Sequence, residues 1–156
     1  MRNNNFQCDL DSKKRVMEAM KDAYAPNIFT YEIDENPKAI IDCRAIGITK
    51  NGKTIHYAIE CKQRNCTAST YDSYYCEPSK YDELNFETIH NGVDRAYVAN
   101  EFSDGSIYLW NVNDIDPNDT EDVMIARTTV GIGDYLSERI RQKRILMHKD
   151  KAIKIK

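Results

Sequence analysis

The chain has no apolar run long enough to span a bilayer, so a helical membrane protein is excluded. Its opening residues, MRNNNFQCDLDSKKR, lack the apolar core of a signal peptide, and a cytoplasmic protein is expected. There is no CxxC spacing. Five cysteines, Cys8, Cys43, Cys61, Cys66 and Cys76, are an odd number and read as reduced thiols. A zinc set of Cys61, Cys66, Cys76 and His56 fails because Cys61 and His56 fall on opposite faces of one strand. The acids of residues 111–122 (Asp114, Asp116, Asp119, Glu121, Asp122) lack the glycine and final glutamate of a calcium loop and read as a solvated connector. Gly131-x-Gly133 is too short for a phosphate cradle. Nor are there internal repeats or low-complexity linkers. The 156 residues, 41% hydrophobic and 30% charged, therefore read as one globular domain, 1–156.

What is present centres on residues 39–64, AIIDCRAIGITKNGKTIHYAIECKQR. Two apolar stretches flank Asn51-Gly52, a strong short-range hairpin signal. The first carries Asp42 and the second ends in Glu60-Cys61-Lys62, which puts Glu60 and Lys62 on one strand face. Register decides whether Asp42 joins them. A two-residue turn would set Asp42 opposite Cys61, on the wrong side of the sheet. A three-residue loop, Lys50-Asn51-Gly52, sets it opposite Glu60 and needs a left-handed residue at Gly52. Two carboxylates and a lysine placed this way suit a hard divalent cation beside a phosphate.

The pattern Ile41-Asp42, hairpin, Glu60-Cys61-Lys62 resembles that of the PD-(D/E)xK phosphodiesterase superfamily, with Ile41 where the family's name has proline. Asp11-Ser12-Lys13 matches the same acidic-x-Lys triplet but reads as a helix start; only the later triplet follows an apolar strand with an Asp-bearing partner. The resemblance spans about residues 13–110. It implies a restriction-endonuclease-like α/β core, a mixed sheet flanked by helices in the order αβββαβ. It also implies Mg²⁺ or Mn²⁺ held by Asp42, Glu60 and the Cys61 carbonyl, and Lys62 orienting the nucleophile or the phosphate. Relatives carry a further acid on the first helix. Glu18 is the glutamate there, although it points away from the apolar stripe, and Glu32 and Glu35 compete for the role.

The rest of the chain supplies that order. Residues 11–24 read as a helix capped by Asp11 or Ser12, with Val16, Met17, Met20 and Tyr24 at helical spacing. Residues 28–33 alternate as a strand. Residues 63–77 read as a long polar loop beside the site, bearing Tyr71, Tyr74 and Tyr75. A helix from Pro78 to Asn91-Gly92, a strand over 95–102 and another over 107–112 imply a right-handed parallel βαβ step. Residues 123–126 read as a strand, and Asp134 is expected to cap a helix to about Ile145.

Charge is uneven. Residues 138–156 hold eight basic and two acidic residues, a net of +6, so the chain's total of −3 leaves −9 for residues 1–137. Arg139, Arg141, Lys143 and Arg144 are the candidate contacts to a nucleic-acid backbone. The function expected is a metal-dependent nuclease, an endodeoxyribonuclease acting on DNA before RNA, with a homodimer suited to cutting both strands of a duplex. The alternatives are a binding module on the same fold without cleavage, and a cysteine hydrolase using Cys61 or Cys66 with His56 or His90, for which there is no local signature. Removing Asp42 or Glu60 is expected to relieve like-charge repulsion and stabilise the metal-free protein.

Overall fold

The computed structural model of the chain describes residues 2–24, 28–36, 38–126 and 139–156. In chain order its elements are α1 (Arg2–Tyr24), β1 (Ile28–Ile33), β2 (Cys43–Ile48), β3 (Thr54–Gln63), β4 (Ser73–Cys76), α2 (Pro78–His90), β5 (Arg95–Glu101), β6 (Ile107–Asn111), β7 (Thr120–Ala126), β8 (Arg139–His148) and β9 (Ile153–Lys154). The main sheet runs β1-β2-β3-β5-β6-β9, and β4-β8-β7 form a second, smaller sheet. Only β3 and β5 run parallel among the paired strands of the main sheet, the two being joined through α2. The order αβββαβ is thus present, with β4 inserted before α2.

The hairpin takes the three-residue form. Ile48 faces Thr54 and Cys43 faces Ile59, so the next opposed positions are Asp42 and Glu60. Thr49 N–H donates to the Lys53 carbonyl at 2.9 Å, and Gly52 N–H donates to the Thr49 carbonyl at 2.9 Å. Gly52 stands at φ +77°, a conformation that a side chain makes costly.

Each face of the main sheet buries its own core. On one, Val16, Met17 and Met20 of α1 pack with Phe29, Cys43, Tyr57, Ile59, Cys61, Tyr97 and Ala99. On the other, Leu84 of α2 packs with Ala58, Val98 and Trp110, together with Tyr74 and Cys76 of β4 and Ile145 and Met147 of β8. Alternation along β3 and β5 therefore assigns Glu60, Lys62, Val98 and Asn100 to the α2 face.

Three expectations are corrected. The first helix starts well before Asp11, and Ser12 is no cap: its hydroxyl donates to Glu101 at 2.6 Å, while Arg15 grips the same carboxylate at 2.5 and 3.0 Å. These partners are nearly ninety residues away, beyond the reach of local spacing. Residues 63–77 are not loop throughout, because β4 pairs with β8, Tyr74 facing Met147 and Cys76 facing Ile145. The basic segment is strand, not helix: residues 139–145 lie in β8, where Ile145 and Met147 alternate inward. Asp134, the expected cap, lies outside the described residues. The strand expected over 123–126 is β7, three residues longer at its start.

The turn makes a testable prediction. A Cβ on Gly52 would meet nothing within 4 Å, so the cost of Gly52→Ala is backbone strain alone. We expect a loss of about 1 kcal/mol in urea unfolding, with a smaller loss for Gly52→Asn, which tolerates the left-handed region better. Equal stability of wild type and Gly52→Ala would show that this φ is not imposed on the chain.

Candidate active site

Asp42 sits in a bend over residues 40–42, one position before β2, because the bend must turn the chain into the hairpin. Its carbonyl accepts from Asp34 N–H at 2.8 Å, and its carboxylate accepts from Cys61 N–H at 2.8 Å. The second bond ties Asp42 to the residue that separates Glu60 from Lys62. Glu60 is 4% exposed, and its Oε2 has no hydrogen-bond partner among the described residues. Burial first, and the Asp42 carboxylate second, push its carboxyl up to about 7; Lys62 and Lys80 pull the other way. A buried carboxylate with one oxygen lacking a hydrogen bond, beside a second carboxylate, is a setting that a cation would relieve.

Three ammonium groups surround the pair. Lys62 Nζ stands 3.7 Å from Glu60 and 3.8 Å from Glu77. Lys80, from α2, stands 3.5 Å from Glu60 and donates to the Ala39 and Ile40 carbonyls at 3.2 Å each, which fastens the bend that delivers Asp42. Lys13, from α1, is buried and bridges Asp42 at 2.9 Å and Asp9 at 3.1 Å. Burial alone would lower the Lys13 pKa, but the two aspartates outweigh it and the ammonium is held above the ordinary lysine range. Sequence reading missed Lys13, Lys80 and Asp9. Lys13 belonged to the acidic-x-Lys triplet taken for a helix start, and nothing local marks an α2 lysine as a neighbour of β3.

The structure brings Asp42, Glu60, Cys61 and Lys62 together. It does not bring Glu18 to them: Glu18 accepts from the Tyr31 hydroxyl at 2.5 Å, and Tyr31 faces Ala45, three positions along the ladder from Asp42. Asp9 is the α1 acid linked to Asp42, through Lys13. Glu32 and Glu35 line a cleft of roughly 330 Å³ with Asp34, Asp42 and Arg44. Among the described residues no three His, Cys, Asp or Glu side chains form a ready metal cage. Two carboxylates with a backbone carbonyl still match the sparse protein ligation typical of Mg²⁺, which keeps several waters.

The basic residues of β8 lie apart from this cluster on the second sheet. Lys143 faces Asp122 and Arg144 faces Glu121 across the β7–β8 ladder, whereas Arg141 faces Met124 and Arg139 faces Ala126. Two of the four candidate contacts are thus set against carboxylates.

The two carboxylates should respond oppositely to removal. Below about pH 4.5, the ordinary value, Glu60 is neutral in both folded and unfolded chains. As pH rises toward 7, the unfolded chain releases a proton that the folded site retains, so folding loses free energy across that window. Glu60→Gln should therefore stabilise the metal-free protein at pH 8 by on the order of 2–3 kcal/mol, an advantage that vanishes at pH 4. Asp42→Ala should instead destabilise it by roughly 1–3 kcal/mol, because it takes from the buried Lys13 ammonium the nearer of its two carboxylates, leaving Asp9, and removes the acceptor of the Cys61 N–H. This reverses the expectation from repulsion for Asp42 and keeps it for Glu60. Thermal melts of both variants in EDTA at the two pH values check the signs.

No protein-family model matches the chain, and no curated protein does. Among solved structures the chain is similar to Hjc, a Holliday junction resolvase from the archaeal hyperthermophile Archaeoglobus fulgidus. The TM-score is 0.54 at 16% identity, over 94% of this chain and 95% of that one. At this identity the likeness is one of fold. The chain has the restriction-endonuclease-like fold that its resemblance to the PD-(D/E)xK superfamily implied, a mixed sheet flanked by helices.

Proposed function

We propose that this chain is a divalent-cation-dependent nuclease that hydrolyses phosphodiester bonds, an endonuclease acting on DNA. The observation that carries the reading is the opposition of Asp42 and Glu60 at the open end of the β2–β3 hairpin, with Lys62 on the Glu60 face and the buried Glu60 Oε2 without a hydrogen bond among the described residues. Asp42, Glu60 and the Cys61 carbonyl would hold Mg²⁺ or Mn²⁺. Such an ion, when bound, supplies Lewis acidity at the scissile phosphate and acidifies a bound water. Lys62, partly exposed, holds the attacking water or a phosphate oxygen; Lys80 keeps the bend in place. The fold likeness to a junction resolvase makes branched DNA the first substrate to try and a second copy of the chain the natural source of a second cut.

A second reading has its own support. Lys13, Lys62 and Lys80 already stand beside the two site carboxylates, as expected of a module that keeps the fold and binds nucleic acid without cutting it.

The experiment is incubation of the full chain with a four-way junction, plasmid, linear duplex, single strands and RNA, with and without Mg²⁺ or Mn²⁺. Lys62→Ala should lower cleavage by about 10²-fold or more while leaving Mn²⁺ binding by calorimetry largely intact. Asp42→Ala and Glu60→Ala should remove both. An active Glu60→Ala protein would end the assignment at this site, and wild type that binds Mn²⁺ and DNA but cuts nothing would select the second reading.

The cross-strand pairing grades the basic residues. Arg141→Ala should weaken DNA affinity and lower the salt slope by about one, whereas Lys143→Ala and Arg144→Ala, each facing a β7 carboxylate, should do so less. Fluorescence anisotropy at several salt concentrations checks the ranking.

A further inference from the structure

Asn100 is the most anomalous polar residue described. It is 0% exposed, and neither its amide oxygen nor its amide nitrogen has a hydrogen-bond partner among the described residues. Its strand, β5, is otherwise apolar around it on this face, with Val98 before it and Phe102 just beyond the strand. An apolar side chain of similar size would suit those neighbours better, since a buried amide without partners loses its bonds to water and gains none.

Its place in the ladder gives it a use. β3 and β5 run parallel with Lys62 directly beside Asn100, and Glu60 beside Val98. The alternation that puts Val98 on the α2 face puts Asn100 there too, in the same row as Lys62. Among the described residues Lys62, for its part, has only long approaches to carboxylates, 3.7 Å to Glu60 and 3.8 Å to Glu77. Neither is short enough to be a hydrogen bond. An under-bonded ammonium and an unpartnered amide are thus set side by side on adjacent strands.

We propose that Asn100 is a positioning residue for Lys62, its amide oxygen accepting from the Lys62 ammonium, directly or through one water, in the working site. The inference rests on the nuclease reading for its purpose and deepens it. A cation on Glu60 repels the Lys62 ammonium, which then needs an uncharged acceptor that does not compete for the metal. Glu77, partly exposed, is the rival acceptor; it would neutralise the ammonium that the phosphate needs. An asparagine oxygen orients the ammonium and leaves its charge in place.

The test uses the full chain and two readouts. The first is the ¹³Cε–¹Hε signal of Lys62 in the Mn²⁺-free, Mg²⁺-loaded protein, assigned by its loss in Lys62→Arg. Asn100→Leu should move this signal and leave the other lysine signals in place, and Glu77→Gln should move it less. The second is cleavage. Asn100→Leu should lower kcat about tenfold or more, with KM for DNA and half-saturating Mg²⁺ within about twofold, while its melting temperature does not fall. Asn100→Ala, which leaves a gap instead of added bulk, is the second variant should Asn100→Leu not fold. A Lys62 signal unmoved by either variant overturns the inference whatever the cleavage result, as does a Lys62 signal that follows Glu77→Gln alone. Wild-type kcat in a folded Asn100 variant overturns it as well. If wild type itself cuts nothing, the nuclease reading fails, and a Lys62 signal that moves with Asn100 still upholds the coupling.

Discussion

The side chains of a strand alternate with a period of two, and that constraint makes or breaks this site. Asp42 and Glu60 oppose each other only because three residues, not two, separate Thr49 from Lys53, and the third can adopt a left-handed backbone because it is Gly52. One residue fewer would point Asp42 into the α1 core and leave Cys61 as its partner. Everything else at the site adjusts to this register. The Cys61 N–H finds the Asp42 carboxylate, Lys13 reaches it from α1, and Lys80 reaches from α2 to hold the bend. The two helices, each packed on its own face, meet chemically at the end of one hairpin.

Electrostatics then separates two carboxylates that look alike in sequence. Asp42 is bonded to an ammonium and a backbone N–H, and is part of what holds α1 against the sheet end. Glu60 is more deeply enclosed and less well matched, so its negative charge is a burden on the folded chain until a cation shares it. A site that costs stability when empty is what binding energy can be spent on.

Much of this could be read from residues alone, and the reason is that it is local. Asn51-Gly52, the alternating residues 28–33, Pro78 at the start of α2 and the apolar runs of β5 and β6 each carry their own signal within a few positions. The parts that escaped reading depend on partners far away in sequence. β4 is four residues long and exists because β8 pairs with it; β8 itself has a strand's alternation only where Ile145 and Met147 meet the body. Lys13 looked like a helix cap's neighbour because its partner Asp42 lies beyond the next strand. Ser12 and Arg15 likewise answer to Glu101. Glu18, chosen for being the glutamate on the right helix, lost to the helix's own phase, which turns it to Tyr31 and turns Lys13 to the site.

The last residues of the chain have an effect out of proportion to their number. β9 lies along β6, and the Lys156 carbonyl accepts from Ile107 N–H while Ile155 N–H returns to Ile107. β9 is thus the strand at one margin of the main sheet and pairs over only two positions, while β1 at the opposite margin pairs over six. A sheet open at both margins can template copies without limit, as fibres do. A margin strand of two residues presents too few free N–H and C=O groups to template another chain, so the short β9 blunts that margin.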